Sequence, residues 1–62
     1  SDSEAIRVFA AEVMQENPGQ VENYRTGKVP LIGWFVGQVM KKSRGKADPV
    51  LARSVMEELL AG

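Results

Sequence analysis

Neither cysteine nor histidine occurs among the 62 residues. Without cysteine there is no disulfide and no thiolate metal site, a composition that fits a reducing compartment. Without histidine, the commonest general base, the commonest transition-metal ligand and the usual pH switch are all missing. Aromatic side chains are few: Phe9, Tyr24, Trp34 and Phe35 are the whole set. No apolar run approaches the ~20 residues that cross a bilayer, and no signal-peptide pattern opens the chain. The expectation is a cytoplasmic location with no membrane partner.

Acid is absent from one long region. Between Arg25 and Lys46 stand six basic residues (Arg25, Lys28, Lys41, Lys42, Arg44 and Lys46) and no Asp or Glu, although the whole chain carries eight charges of each sign. The acids Asp2, Glu4, Glu12, Glu16 and Glu22 fall in the first third, and Glu57-Glu58 lie near the end. Charge sorted in this way suggests a polyanionic partner.

Apolar residues recur at i, i+3, i+4 and i+7 throughout, and no segment alternates with period two. The sets are Ala5, Ile6, Phe9, Ala10, Val13, then Leu31, Ile32, Phe35, Val36, Val39, Met40, then Leu51, Ala52, Val55, Met56, Leu59, Leu60. The punctuation agrees. Ser3 caps a first helix that runs to about Glu16. Asn17-Pro18 starts a short second helix that Gly27 ends after Thr26. Pro30 opens a third helix, to about Lys42 or Ser43, with Gly45 as its stop. Asp48-Pro49 starts a fourth, to about Leu60. The predicted fold is all-α, a compact bundle of three to four short helices forming one domain over residues 1–62. So short a chain buries only about 60% of its unfolded surface, so its stability is expected to be small. The chain starts Ser-Asp-Ser without Met and ends Leu-Ala-Gly. It reads as a piece excised from something longer, with Ser1 and Asp2 a cloning remnant.

Gly33 and Gly37 lie inside the third helix, where each costs roughly 1 kcal/mol relative to Ala. At i and i+4 they share a face and make it smooth. Two readings stand: close packing of another helix, or the approach of a ligand backbone. Trp34 is in phase with Gln38 and Lys41, so it either covers the core rim or stacks on a base or sugar. Phe35 belongs to the core. Tyr24 is a packing residue with its hydroxyl at the surface. The run Lys42-Ser43-Arg44-Gly45-Lys46 is similar to a backbone clamp for phosphate, but not to a Walker loop, which follows a strand. The basic turns lie at opposite ends of the third helix, so they need not form one patch. No serine has a base to activate it, and Glu57 and Glu58 diverge on a helix. No catalytic residue, metal or cofactor is expected.

Three stretches together resemble a known family: Glu16-Asn17-Pro18-Gly19-Gln20-Val21-Glu22-Asn23-Tyr24-Arg25-Thr26-Gly27-Lys28, then Gly33-Trp34-Phe35-Val36-Gly37-Gln38-Val39-Met40-Lys41, then Gly45-Lys46-Ala47-Asp48-Pro49. The chain is similar from about Val13 to Leu60 to the C-terminal tail domain of the GatB subunit of the tRNA-dependent amidotransferase, a module shared with YqeY proteins. The resemblance implies a small helical bundle at the end of a larger tail. It implies a non-catalytic appendage that holds the elbow and D-loop region of tRNA. ATP-dependent amidation of Glu-tRNA(Gln) or Asp-tRNA(Asn) would take place elsewhere in the parent enzyme, alongside its other subunits. On the matching positions it places tRNA contacts at Gly33, Gly37, Lys41 and the Gly45-Lys46 turn, with Lys42 beside them and Arg25 and Lys28 as outer supports. The chain departs from the family at Gly19, Val29 and Pro30, where charged residues are common, and at Trp34, where a smaller residue is common. The motif is common to GatB tails and free-standing YqeY-like proteins, and a helical protein-interaction module is the alternative function.

Overall fold

A computed structural model describes residues 2–62. Four α-helices follow one another: α1, Asp2–Glu16; α2, Pro18–Arg25; α3, Ile32–Lys42; and α4, Pro49–Ala61. A single 3₁₀ turn, Val29–Leu31, leads into α3. There is no strand among the described residues. The all-α expectation is met, and each helix falls within a few residues of its predicted span.

The differences lie at the ends. Helix α1 already includes Asp2, so Ser3 sits inside the first turn and not at the cap. Pro30 belongs to the 3₁₀ turn, and α3 starts two residues later. Asn17 occupies the N-cap position of α2, but its side chain does not cap that helix. Its Nδ2 instead donates backward to the Val13 carbonyl at 2.8 Å, satisfying an orphan acceptor at the end of α1. Asp48 does cap α4: its carboxylate accepts from the Val50 amide at 3.3 Å.

The core lies where α1, α3 and α4 converge. It is built from Ile6, Ala10 and Val13 of α1, Ile32, Phe35 and Val39 of α3, and Ala52, Val55, Met56 and Leu60 of α4. Short α2 adds Val21. Phe35 is fully buried at the centre. Tyr24 meets its ring edge-on at 6.2 Å and Trp34 at 5.1 Å, both in the T-shaped arrangement that suits aromatic quadrupoles. Trp34 is half-buried and packs against the core, which places it on the rim. Ala5 is in phase with the α1 stripe yet exposed.

Two basic residues tie helices together. Arg25 Nε donates to the Leu60 carbonyl at 3.0 Å, and Nη2 reaches the Leu59 carbonyl at 3.5 Å. The guanidinium thus satisfies the open C-terminal carbonyls of α4 from the end of α2. Lys42 Nζ lies 3.1 Å from Glu16 and 3.5 Å from Glu12, so it clasps the last turn of α3 to α1. Arg7 and Glu58 add an exposed pair at 2.7 Å between α1 and α4.

Candidate functional site

Helix α3 carries the core on one side and an unusual surface on the other. Residues four apart on a helix drift by only about 40° around its axis. Gly33, Gly37 and Lys41 therefore form one line, and Gly37 stands about 160° around from buried Val39. All three are exposed. A Cβ placed on Gly33 or on Gly37 would meet no heavy atom within 4 Å. Neither glycine is needed for packing inside this chain. The reading in which they admit a neighbouring helix finds no such helix among the described residues. Two helix-interior glycines are thus left without an intramolecular return, at positions where no neighbouring atom would meet a side chain.

Gly33 forms part of the floor of a groove of about 280 Å³ between α3 and α4. Val36, Pro49, Val50 and Arg53 make the rest. Helical spacing alone does not single out Val50 or Arg53. The available signal was Val50 itself, an apolar residue out of phase with the Leu51, Ala52, Val55 stripe and 77% exposed in the fold. Arg53 is held only by an exposed i, i+4 pair with Glu57 at 3.4 Å, which is a weak restraint.

The α3–α4 turn continues the line past Lys41. The Gly45 amide bonds to the Met40 carbonyl at 2.8 Å and the Arg44 amide to the Lys41 carbonyl at 3.0 Å, the paired bonds of a Schellman ending. Gly45 was the expected stop, but it occupies the second position of that ending. Arg44 takes the first, with φ 56°, in the left-handed region that disfavours a residue with a Cβ. Ser43 braces the turn from inside. Its buried hydroxyl donates to the Met40 carbonyl and accepts from the Ala47 amide, both at 3.0 Å. Gly45 has φ 77° and Lys46 comes next, exposed.

The six cations of the acid-free span are not equivalent. Arg25 and Lys42 have the intramolecular partners described above. Glu16, by hydrogen bonding and by charge, raises the Lys42 pKa above its ordinary value of 10.5. Lys28, Lys41, Arg44 and Lys46 make no ion pair among the described residues and project to solvent. Lys28 stands before α3, and the other three stand at its far end. An 11-residue helix, roughly 16 Å long, separates them. The structure therefore lines up Gly33, Gly37 and Lys41 on the outer face of α3, with exposed Gly45 and Lys46 in the turn that follows the helix. It leaves Arg25 and Lys28 at the opposite end of α3 and sets Lys42 against α1.

A sequence model for the family described as "GatB domain" matches residues 1–60. The GatB subunit of the aspartyl/glutamyl-tRNA(Asn/Gln) amidotransferase of Synechococcus sp. (strain JA-3-3Ab) is 50% identical over the whole chain. The corresponding subunit from Dichelobacter nodosus is 50% identical over 60 residues, 97% of this chain, and that from Rickettsia rickettsii (strain Sheila Smith) is 49% identical over 61, 98% of it. In each case the chain spans only 13% of the relative's length. No solved structure is a significant match.

Proposed function

The chain belongs to the GatB domain family, and on that premise we propose that it is a tRNA-binding appendage of an amidotransferase of the GatB type. It has no catalytic role of its own. It holds the elbow of the tRNA around the D-loop, while other parts of the enzyme activate the acyl group with ATP and deliver ammonia. One observation supports this reading above the others: Gly33 and Gly37 are bare to solvent on the outer side of α3, in line with Lys41, on the helix that leads into the Gly45-Lys46 turn.

The physical logic is one of close approach. A sugar–phosphate backbone can come nearer to a helix whose outward positions lack Cβ. Lys41 and Lys46 then supply charge to phosphates without reading sequence, as suits an RNA recognised by shape. Gly45 opens the turn so that its backbone also faces the strand. Arg25 and Lys28, at the other end of α3, add long-range attraction, and Lys42 contributes in part by positioning the α3 terminus through Glu12 and Glu16.

The test is a titration at low salt with an intact tRNA transcript and with one whose D-loop is altered. Weaker binding of the altered RNA is expected, and equal affinity for both rules out elbow recognition. Exposed Val50 beside Gly33 favours a second reading, docking of a protein partner in the α3–α4 groove. Gly33→Leu separates the two: it weakens tRNA binding under the first reading and spares it under the second.

A further inference from the structure

A second concavity, of about 250 Å³, opens between the first turns of α1 and the α3–α4 turn. Its apolar wall is made by Ala5, Ile6 and Phe9 from α1 and by Ala47 from the turn. Phe9 is only half-buried, so part of its ring is available at this wall. Arg44 and Lys46 stand at its edge, and both lack an ion-pair partner among the described residues. The same two residues belong to the turn that extends the Gly33–Gly37–Lys41 line. The cleft therefore lies at the Lys41 end of α3.

Arg44 carries an independent mark. It is the one non-glycine residue with positive φ among those described. That conformation costs roughly 1–2 kcal/mol for a residue with a Cβ. The position is the one where helices most often place glycine. A helix ending that forgoes glycine there gains a guanidinium at the mouth of the cleft. Retained backbone strain of this kind is a common sign of a site where the side chain is used.

We propose that this cleft receives one unstacked nucleobase from the bound RNA. The inference rests on the tRNA-binding reading and adds to it a base-sized subsite. Size is the first argument: the space is below the ~300 Å³ at which clefts begin to take drug-sized ligands, and suits a single flat ring system. Chemistry is the second. An apolar wall with an aromatic edge takes the face of a base, and the arginine and lysine at the mouth take the phosphate that enters with it. Asp48, also at the edge, offers an acceptor to ring N–H and exocyclic amino groups. Single-stranded loops, whose bases can be splayed out, are the part of an RNA that could supply such a base.

The experiment fills the cleft. Ala5 is exposed on α1, so Ala5→Trp adds bulk into the space without disturbing the core; Ala5→Leu is a smaller plug for use should the tryptophan alter folding, as checked by circular dichroism. Binding is measured to two probes, an unmodified tRNA transcript and inorganic polyphosphate, which has the charge and no bases. Ala5→Trp is expected to weaken the transcript about tenfold and to leave polyphosphate unchanged. Arg44→Gly is expected to raise the melting temperature while weakening the transcript about threefold. Full transcript affinity with the plug in place, while Gly37→Leu abolishes it, overturns the base subsite and leaves the glycine face standing. Failure of the wild-type chain to bind any transcript removes both. Equal weakening of both probes by the plug overturns the base subsite too, since the effect would then be on phosphate alone.

Discussion

Gly33 and Gly37 give the clearest separation of stability from function. In an open helical position a Cβ favours the helix, and nothing stands in its way here. Gly33→Ala and Gly37→Ala are each expected to stabilise the domain by about 0.5–1 kcal/mol, read as a higher urea midpoint. Each is also expected to weaken tRNA binding. Gly19, equally open but on α2, is the control: Gly19→Ala should stabilise and leave RNA affinity alone. A fall in stability at Gly33 or Gly37 would mean that the helix face is packed in solution. Lys42 makes a different case. Its pKa is raised in the fold by Glu16, with Glu12 adding to it. A raised lysine pKa stabilises the folded state while the group is protonated in both states, and the contribution fades as pH climbs through the folded value, above 10.5. Lys42→Gln should therefore melt below the wild type at pH 7, with the gap closing in strongly alkaline buffer. A gap that persists there would assign the effect to packing of the lysine stem.

At the scale of elements, some helix ends are closed by side chains that also belong to a neighbouring helix or its start. Asn17 turns back to α1, and Arg25 reaches across to α4. Arg25→Ala is expected to fray the last turn of α4, lowering helicity and costing about 1–2 kcal/mol, because charged hydrogen bonds to carbonyls are lost. Amide exchange at the C-terminal end of α4 should accelerate while α1 is unaffected. Uniform acceleration would instead point to global destabilisation. The four helices, their short loops and their buried faces were legible in the sequence, since period and punctuation are local. The partners of Arg25 and Lys42 were not. Their acceptors lie 35 and 26 residues away, and charge at helix ends does not say which neighbour it will meet. The left-handed Arg44 was hidden for a related reason: glycine at the next position drew the expectation one residue too far.

For the whole molecule, the fold and the proposed binding rest on different atoms. Phe35 is sealed at the centre of the bundle, so Phe35→Ala should cost about 3–5 kcal/mol. A domain of this size has only about 3–9 kcal/mol in total, and circular dichroism should show much of it unfolded or close to it. The double change Lys41→Ala, Lys46→Ala removes exposed charge and should leave the melting temperature nearly unchanged. It should flatten the log–log salt dependence of tRNA binding by roughly 0.7–0.9 for every phosphate no longer neutralised. An unchanged slope would take these lysines out of the interface. Of the candidate surface, the glycine spacing and basic turn were visible as a set of residues. Their division between two ends of α3, and the addition of Val50 and Arg53 beside Gly33, were not.

The order of residues by itself determined an all-helical domain, its helix boundaries to within a few positions, and the presence of two glycines in the middle of a helix beside a basic turn. Those features arise from hydrogen bonds and side-chain spacing within a few residues. Only the packed bundle decided that the glycines face water, that Arg25 and Lys42 are held by other helices, and that Arg44 stands at the mouth of a cleft against Phe9. Each of these depends on which helix comes to lie against which, and that is set by burial summed over the whole core.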